Sequence, residues 1–197
     1  MIGEVPVYAY AFYDENKKAA KYWRDIGTLD AYYEASMDLV QVNPEFNLYD
    51  PEWPLRSYQP QAPPAKFVFA EEGQRCGRAI DSMVSAGCIV SGSEVRGSIL
   101  CPNVRVHSFC EIDGSILMPG VQVGRHARIR RAIIDRETVV PRGALIGFNA
   151  EEDQRRHVVT EQGVVVVTRY DEPYTGPVSD AALGLEADAD ARSTDRV

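Results

Sequence analysis

The sequence predicts a mainly β fold, a three-sided parallel β-helix behind a short α/β segment. Three observations predict it: a repeat of 17 residues, three aliphatic columns, and columns of small residues two places before the aliphatics. Four segments align on one another: residues 81–96, 97–113, 114–130 and 131–147, with one deletion in the first copy. The aliphatic columns are Val84, Leu100, Leu117, Ile134; Val90, Val106, Val123, Val140; and Val95, Ile112, Ile129, Ile146, standing five or six residues apart within a copy. That spacing suits neither a helical solenoid nor a hairpin meander, because each aliphatic lies one short strand and one corner from the next. The small columns are Ser82, Ser98, Ser115, Ala132 and Ser93, Cys110, Ala127, Ala144, which fit a narrow prism where its faces meet. Stacked coils pair their strands in parallel, about 4.8 Å apart, around one aliphatic core.

The remaining elements follow in chain order. Residues 5–12 (VPVYAYAF) read as a strand apolar on both faces, the pattern of a strand inside a larger sheet. Thr28 is a candidate N-cap, and Leu29, Tyr32, Tyr33, Met37 and Val40 recur at helical spacing up to about Gln41. One strand and one helix cannot bury each other, so these first residues are expected to belong to something larger or to dock on another chain. Six of the twelve prolines lie in residues 43–66, which predicts an extended connection. Residues 163–168 (GVVVVT) predict a last strand that caps or flanks the prism. From Asp171 onward seven acidic residues face two basic ones, predicting a disordered acidic tail. The expected division is therefore 1–42, 43–66, 67–170 and 171–197.

Composition narrows the function classes. A chain of 197 residues with 45% hydrophobic content can bury a core, and a net charge of −8 argues against a nucleic-acid or membrane-surface binder. The opening Met1-Ile2-Gly3-Glu4 has no basic and apolar leader and no run reaches spanning length, so a cytoplasmic location is expected. Cys76, Cys88, Cys101 and Cys110 form no C-x-x-C pair and are expected to be free, with Cys88 and Cys110 as small core groups. Between Arg125 and Arg142 six arginines (125, 128, 130, 131, 136, 142) face only Asp135 and Glu137, an anion-binding candidate or simply an outward, solvated set.

Several motifs, taken in this order, are specific. They are Tyr22-Trp23-Arg24-Asp25-Ile26-Gly27-Thr28, Tyr49-Asp50-Pro51-Glu52-Trp53-Pro54, and Pro63-Pro64-Ala65-Lys66-Phe67-Val68. Gly87-Cys88-Ile89-Val90-Ser91-Gly92, residues 130–136 (RRAIIDR) and Glu151-Glu152-Asp153 follow. Over about residues 7–169 the chain thereby resembles the glucose-1-phosphate adenylyltransferases. The resemblance implies a left-handed parallel β-helix, with residues 1–42 the end of a nucleotidyltransferase domain. It implies an activity that makes ADP-glucose and pyrophosphate from ATP and glucose 1-phosphate with Mg²⁺, for glycogen or starch. It places Asp25 at the metal and sugar phosphate, Trp23 at the sugar, and Arg136 and Arg169 at a phosphorylated effector. A carboxylate is a hard oxygen ligand suited to Mg²⁺, although the residues alone read Asp25 as a loop or capping group.

The Gly-rich nucleotide loop, the second metal carboxylate and the Glu-Lys pair of that family have no match here, so the chain alone is expected not to make ADP-glucose. A homo-oligomer is expected, or a free-standing regulatory or oligomerisation module that joins a complete adenylyltransferase. Two other classes that use the prism fare worse. An acyltransferase needs a catalytic His and an acyl-carrier groove, and a carbonic anhydrase needs three converging His. Here His107 and His126 fall in different columns, and His157 is the only other one.

Overall fold

The computed structural model describes residues 6–14, 19–51, 54–56, 58–71 and 75–169. The predicted acidic tail lies outside them, as do Val5, Glu52 and Trp53 of the segments named above.

The predicted repeat closes into a parallel β-solenoid with three faces. The first face stacks Met83–Val84, Ile99–Leu100, Ile116–Leu117, Ala132–Ile134 and Val165–Val167. The second stacks Lys66–Val68, Ile89–Ser91, Arg105–Val106, Gln122–Val123 and Val139–Val140. The third stacks Arg78–Ile80, Glu94–Arg96, Glu111–Asp113, Arg128–Arg130 and Leu145–Ile146. The register is the predicted one: Val84, Leu100, Leu117 and Ile134 lie over one another, and the other two columns do the same. Apart from half-buried Val84, these aliphatics are sealed in one core.

The small columns do more than save space. Ser82, Ser98 and Ser115 each accept a hydrogen bond at Oγ from the backbone N–H of Ser98, Ser115 and Ala132 in the next coil, at 3.0 to 3.1 Å. Each donates its own hydroxyl back to the carbonyl two residues earlier, at Ile80, Arg96 and Asp113. A hydroxyl in this column thus satisfies a buried corner N–H that the ladders leave over. Ser93 serves Cys110 N–H in the same way at another corner.

Each corner turns through a residue of positive φ, and these also stack. Gly87, Asn103, Gly120 and Glu137 form one column; Gly92, Phe109, His126 and Gly143 the second; Asp81, Gly97, Gly114 and Arg131 the third. Glycine is obligatory at Gly147, where the chain leaves the last coil. Its φ is +80° and an added Cβ would lie 1.9 Å from the Arg130 carbonyl oxygen.

The solenoid extends beyond the predicted copies at both ends. Phe67 stacks on Val90 and Ala79 on Val95, giving a partial leading coil interrupted by the hairpin of Ala70–Glu71 and Arg75–Cys76. The proline-rich segment joins this coil at its end, where Pro63 accepts from Gly87 N–H and Lys66 N–H donates to Cys88. At the far end, the predicted last strand is Val165–Val167, stacked on Ala132–Ile134 and paired on its other side with antiparallel Val158–Val159. Before it, helix α2 (Ala150–Arg156) is capped by Asn149, and its buried Asp153 accepts from Gly147 N–H.

Two expectations for the leading residues need correction. The strand predicted over residues 5–12 is absent from the described part, 6–12: Val7, Tyr8 and Tyr10 stand 65 to 88% exposed, and pairing begins only with the short hairpin of Tyr13–Asp14 and Ala19–Ala20. A strand apolar on both faces needs neighbours on both edges, and the described residues offer it none there. Helix α1 (Leu29–Asp38) does begin at Thr28, whose Oγ1 accepts from Ala31 N–H, but it ends three residues earlier than the apolar spacing suggests. It is not left to another molecule either. Tyr33 is buried against Ile116, Ile133 and Val164 on the outside of the first face.

Candidate functional site

The sequence-predicted site residues fall at two places. Residues 21–27, between the short hairpin and α1, carry Trp23 and Asp25. Trp23 is 76% exposed, an indole presented to solvent rather than packed. Asp25 is exposed, and its Oδ1 accepts from Gly27 N–H at 3.1 Å, the turn in which a short carboxylate mimics backbone. Between them Arg24 points the other way, pairing with Glu34 at 3.0 Å and with Asp38, both on α1. The alternation leaves Trp23 and Asp25 outward on a strip anchored by Arg24, which is the arrangement needed for contact with a substrate or a neighbouring domain.

Arg169 approaches the last corner of the solenoid, the turn that Arg136 and Glu137 form. Asp135 N–H donates to the Val167 carbonyl at 2.9 Å, so the stacked strand carries Arg169 to the corner that Arg136 and Glu137 turn. Both arginines are exposed, and Arg169 lies 3.5 Å from the Glu137 carboxylate. Asp135 holds the Arg136 backbone N–H at 2.8 Å, which fixes the turn from which that side chain emerges. Exposed guanidinium groups at one corner suit a phosphate.

The run of arginines between 125 and 142 is not one basic surface. Arg128 and Arg130 share the third face and hold the Phe148 ring between them at 4.7 and 4.8 Å. Arg125 lies 5.4 Å from the Phe109 ring at one corner, and Arg131 5.3 Å from the Tyr33 ring at another. The coil spreads these outward residues over different sides, and Arg136 is the member of the run that adjoins Glu137, the residue Arg169 approaches. His126 stacks its ring on Phe109 at 4.9 Å. The four cysteines are free, and burial pushes the Cys110 thiol up to about 11, which suits a core group and not a nucleophile.

One open cleft of about 600 Å³ lies beside the Ala70–Cys76 hairpin, lined by Arg75, Arg78, Glu94, Phe109 and Glu111 among others. It contains none of the predicted site residues, and its arginines are committed to Glu71 and Glu94. Among the described residues no group of three or more His, Cys, Asp or Glu could hold a metal ion. The described residues therefore do not by themselves assemble a site for Mg²⁺.

A three-faced parallel prism with a corner hydroxyl or small residue in each coil defines the class: this is a hexapeptide-type β-solenoid. More particularly, the chain belongs to the GlmU-like, C-terminal hexapeptide family, whose model matches residues 63–167. It is similar to the glucose-1-phosphate adenylyltransferase of Koribacter versatilis, 58% identical over 178 residues, which span 90% of this chain and 42% of that protein. Proteins of the same name from Methylococcus capsulatus and Rhodopirellula baltica are each 50% identical over 168 and 181 residues. Those alignments span 85% and 90% of this chain but 39% and 40% of the two relatives. The chain thus spans about two fifths of the length of these curated relatives.

Proposed function

We propose that this chain works as the solenoid and regulatory part of a glucose-1-phosphate adenylyltransferase, which converts ATP and glucose 1-phosphate to ADP-glucose and pyrophosphate. The observation that carries this reading is the 58% identity running through 90% of the chain, including both candidate places and the whole solenoid. In that setting Trp23 packs against the sugar, and the Asp25 carboxylate serves the sugar phosphate or its Mg²⁺. The rest of the nucleotide and metal machinery comes from residues beyond this set. The 197-residue chain assayed alone should form no ADP-glucose above background, and wild-type-like turnover would reject the reading.

Arg136 and Arg169 bind the phosphate of an effector at the last corner. Because Arg169 sits 3.5 Å from Glu137, a phosphate has to compete with that carboxylate. Arg136→Ala should weaken AMP or sugar-phosphate binding about tenfold or more, as loss of a charge-assisted hydrogen bond does. Glu137→Gln should tighten it by up to about fivefold, the worth of an exposed ion pair. Calorimetric titration reads both, and unchanged affinity in Arg136→Ala would remove the corner from the effector site. The second reading, a free-standing module that associates with a complete adenylyltransferase, is favoured by the exposed Val7, Tyr8, Tyr10 and Trp23. Mass measurement on a mixture with such a relative separates the two.

A further inference from the structure

Helix α1 holds the Trp23–Asp25 strip through Arg24 and is seated on the solenoid by specific contacts that lie on the segments leading to the Arg136–Arg169 corner. At its start, Asp30 accepts a hydrogen bond from the Thr160 hydroxyl, across 130 residues of chain. At its centre, the Tyr33 hydroxyl donates to the Gly114 carbonyl at 2.5 Å while Arg131 stacks on its ring. At Glu34 and Asp38 it grips Arg24, the residue between Trp23 and Asp25.

The partners on the solenoid lead directly to the effector corner. Thr160 turns the hairpin of Val158–Val159 and Val165–Val167, and four residues on its hydroxyl accepts from Val164 N–H at 3.0 Å. The second strand of that hairpin runs on to Arg169. Arg131 begins the coil segment that runs through Ala132–Ile134 to Asp135 and Arg136, and its backbone carbonyl accepts from Val165 N–H. A shift of Val165–Val167 relative to Ala132–Ile134 would therefore be carried along the two strands to the effector corner and, through Thr160 and Arg131, to the contacts that hold α1 at its start and centre.

We infer that α1 is the strut by which the Arg136–Arg169 corner positions the Trp23–Asp25 strip, with Thr160, Asp30, Tyr33 and Arg24 as its positioning residues. The inference rests on the effector reading of that corner and adds the route by which occupancy is felt at the strip. Its chemistry is narrow: a polar hinge at Thr160–Asp30 fixes the helix start, an apolar seat at Tyr33 fixes its roll, and the Arg24 ion pairs fix the strip to its far half.

Two measurements on the 197-residue chain test it. Amide hydrogen exchange is read first, without ligand, in Thr160→Val and in Thr160→Ser, which keeps the hydroxyl. Loss of the hydroxyl should speed exchange in residues 22–28 about threefold to tenfold, the equivalent of one hydrogen bond. Thr160→Ser should match wild type, and the strands of the earlier coils should not change. Unaltered exchange at 22–28 in Thr160→Val overturns the inference, whatever a ligand does.

AMP is then titrated into a Trp53→Phe background, which leaves Trp23 as the only tryptophan. Binding, checked by its loss in Arg136→Ala, should shift Trp23 emission. Thr160→Val should cut that shift at least about threefold while AMP affinity stays within about twofold of wild type, which a merely structural contact would not do. AMP that binds with no response at Trp23 overturns the strut and leaves the effector reading standing. Failure of AMP to bind refutes the effector reading for AMP, and the exchange experiment then decides the strut by itself.

Discussion

The first and third faces of the prism share one interior and the same stacking of coils, and they differ most in the residues that point out. On the first face the outward column is Met83, Ile99, Ile116, Ile133 and Val166; on the third it is Arg78, Glu94, Glu111, Arg128 and Leu145, with Arg96, Asp113 and Arg130 alongside. Ile116 and Ile133 are 1% and 4% exposed because α1 covers them, whereas Glu111 and Arg128 stay in solvent and pair with each other at 2.8 Å. A stacked coil decides its core by one set of columns and its partners by another. The apolar outside of the first face seats α1, and the third face presents charged side chains that pair along the stack.

Truncating the interior should not distinguish the two faces, and that equality is the control. Leu117→Ala behind the first face and Ile129→Ala behind the third should each lower stability by about 2–5 kcal/mol, the range for a sealed core aliphatic. Urea denaturation with a single transition checks this. A large difference between the two would mean that the faces do not share one core.

Outward residues should separate them sharply. Ile116→Ala should cost about 1–3 kcal/mol, less than an interior truncation because α1 can lift off before the coil yields. Exchange should then quicken in α1 and in residues 22–28 before it does in the strands. Glu111→Ala should cost under about 1 kcal/mol, since it removes only an exposed ion pair. If the two substitutions cost the same, the outside of the first face is no more than another solvated surface.

How much of this was legible before the coordinates follows the same division. The interior was readable because a 17-residue register repeats strictly, so Val90, Val106, Val123 and Val140 could be aligned by eye. The outward column on the first face was equally regular, Met83, Ile99, Ile116 and Ile133 each standing one place before a core aliphatic, yet it passed unread. Its signal is an aliphatic pair where a half-buried strand would alternate. Reading it would have found the seat of α1. The leading coil was hidden for a different reason: the Ala70–Cys76 hairpin interrupts the period between Phe67 and Ala79. The serines were read as small, and their hydroxyl role depends on a corner N–H that only the closed coil exposes.

The strand expected over 5–12 failed because local pattern cannot supply the neighbours a central strand needs. At the candidate site, Thr28 was visible as a cap, and the Asp25 turn agrees with the loop reading its residues gave. The approach of Arg169 to the Arg136–Glu137 turn is not readable from spacing, since it depends on Val165–Val167 stacking on Ala132–Ile134.

The Tyr33 hydroxyl gives a pH test of the covered face. Burial pushes the Tyr33 phenol above its ordinary value, the nearby Arg131 charge opposing this. The neutral form is therefore the one the fold favours. Its contribution is complete below the ordinary tyrosine value of about 10 and is lost as pH rises through the higher folded value, where a phenolate can no longer donate to Gly114. Tyr33→Phe should cost about 1 kcal/mol at neutral pH and should abolish the alkaline loosening of α1. Alkaline loosening that persists in Tyr33→Phe would assign it to another group.

The smallest effect is expected at Glu94 on the charged face, and it has the opposite pH sense. Its carboxyl is held below the usual value chiefly by hydrogen bonding to Arg96, with burial opposing this and Arg78 adding to the depression. A depressed carboxyl adds stability above the unfolded value of about 4.3 and loses it as pH falls through the folded value. Glu94→Gln should therefore change neutral stability by no more than about 0.5 kcal/mol, fade further in 1 M salt, and leave exchange in α1 untouched. The pairing of Glu94 with Arg78 is set by coil stacking, which places the two directly across from each other, while Arg96 stands two places along the same strand. A cost above about 2 kcal/mol would mean that this ladder is closed off from solvent by a partner. The third face would then be a covered surface like the first, and the contrast drawn between them would collapse.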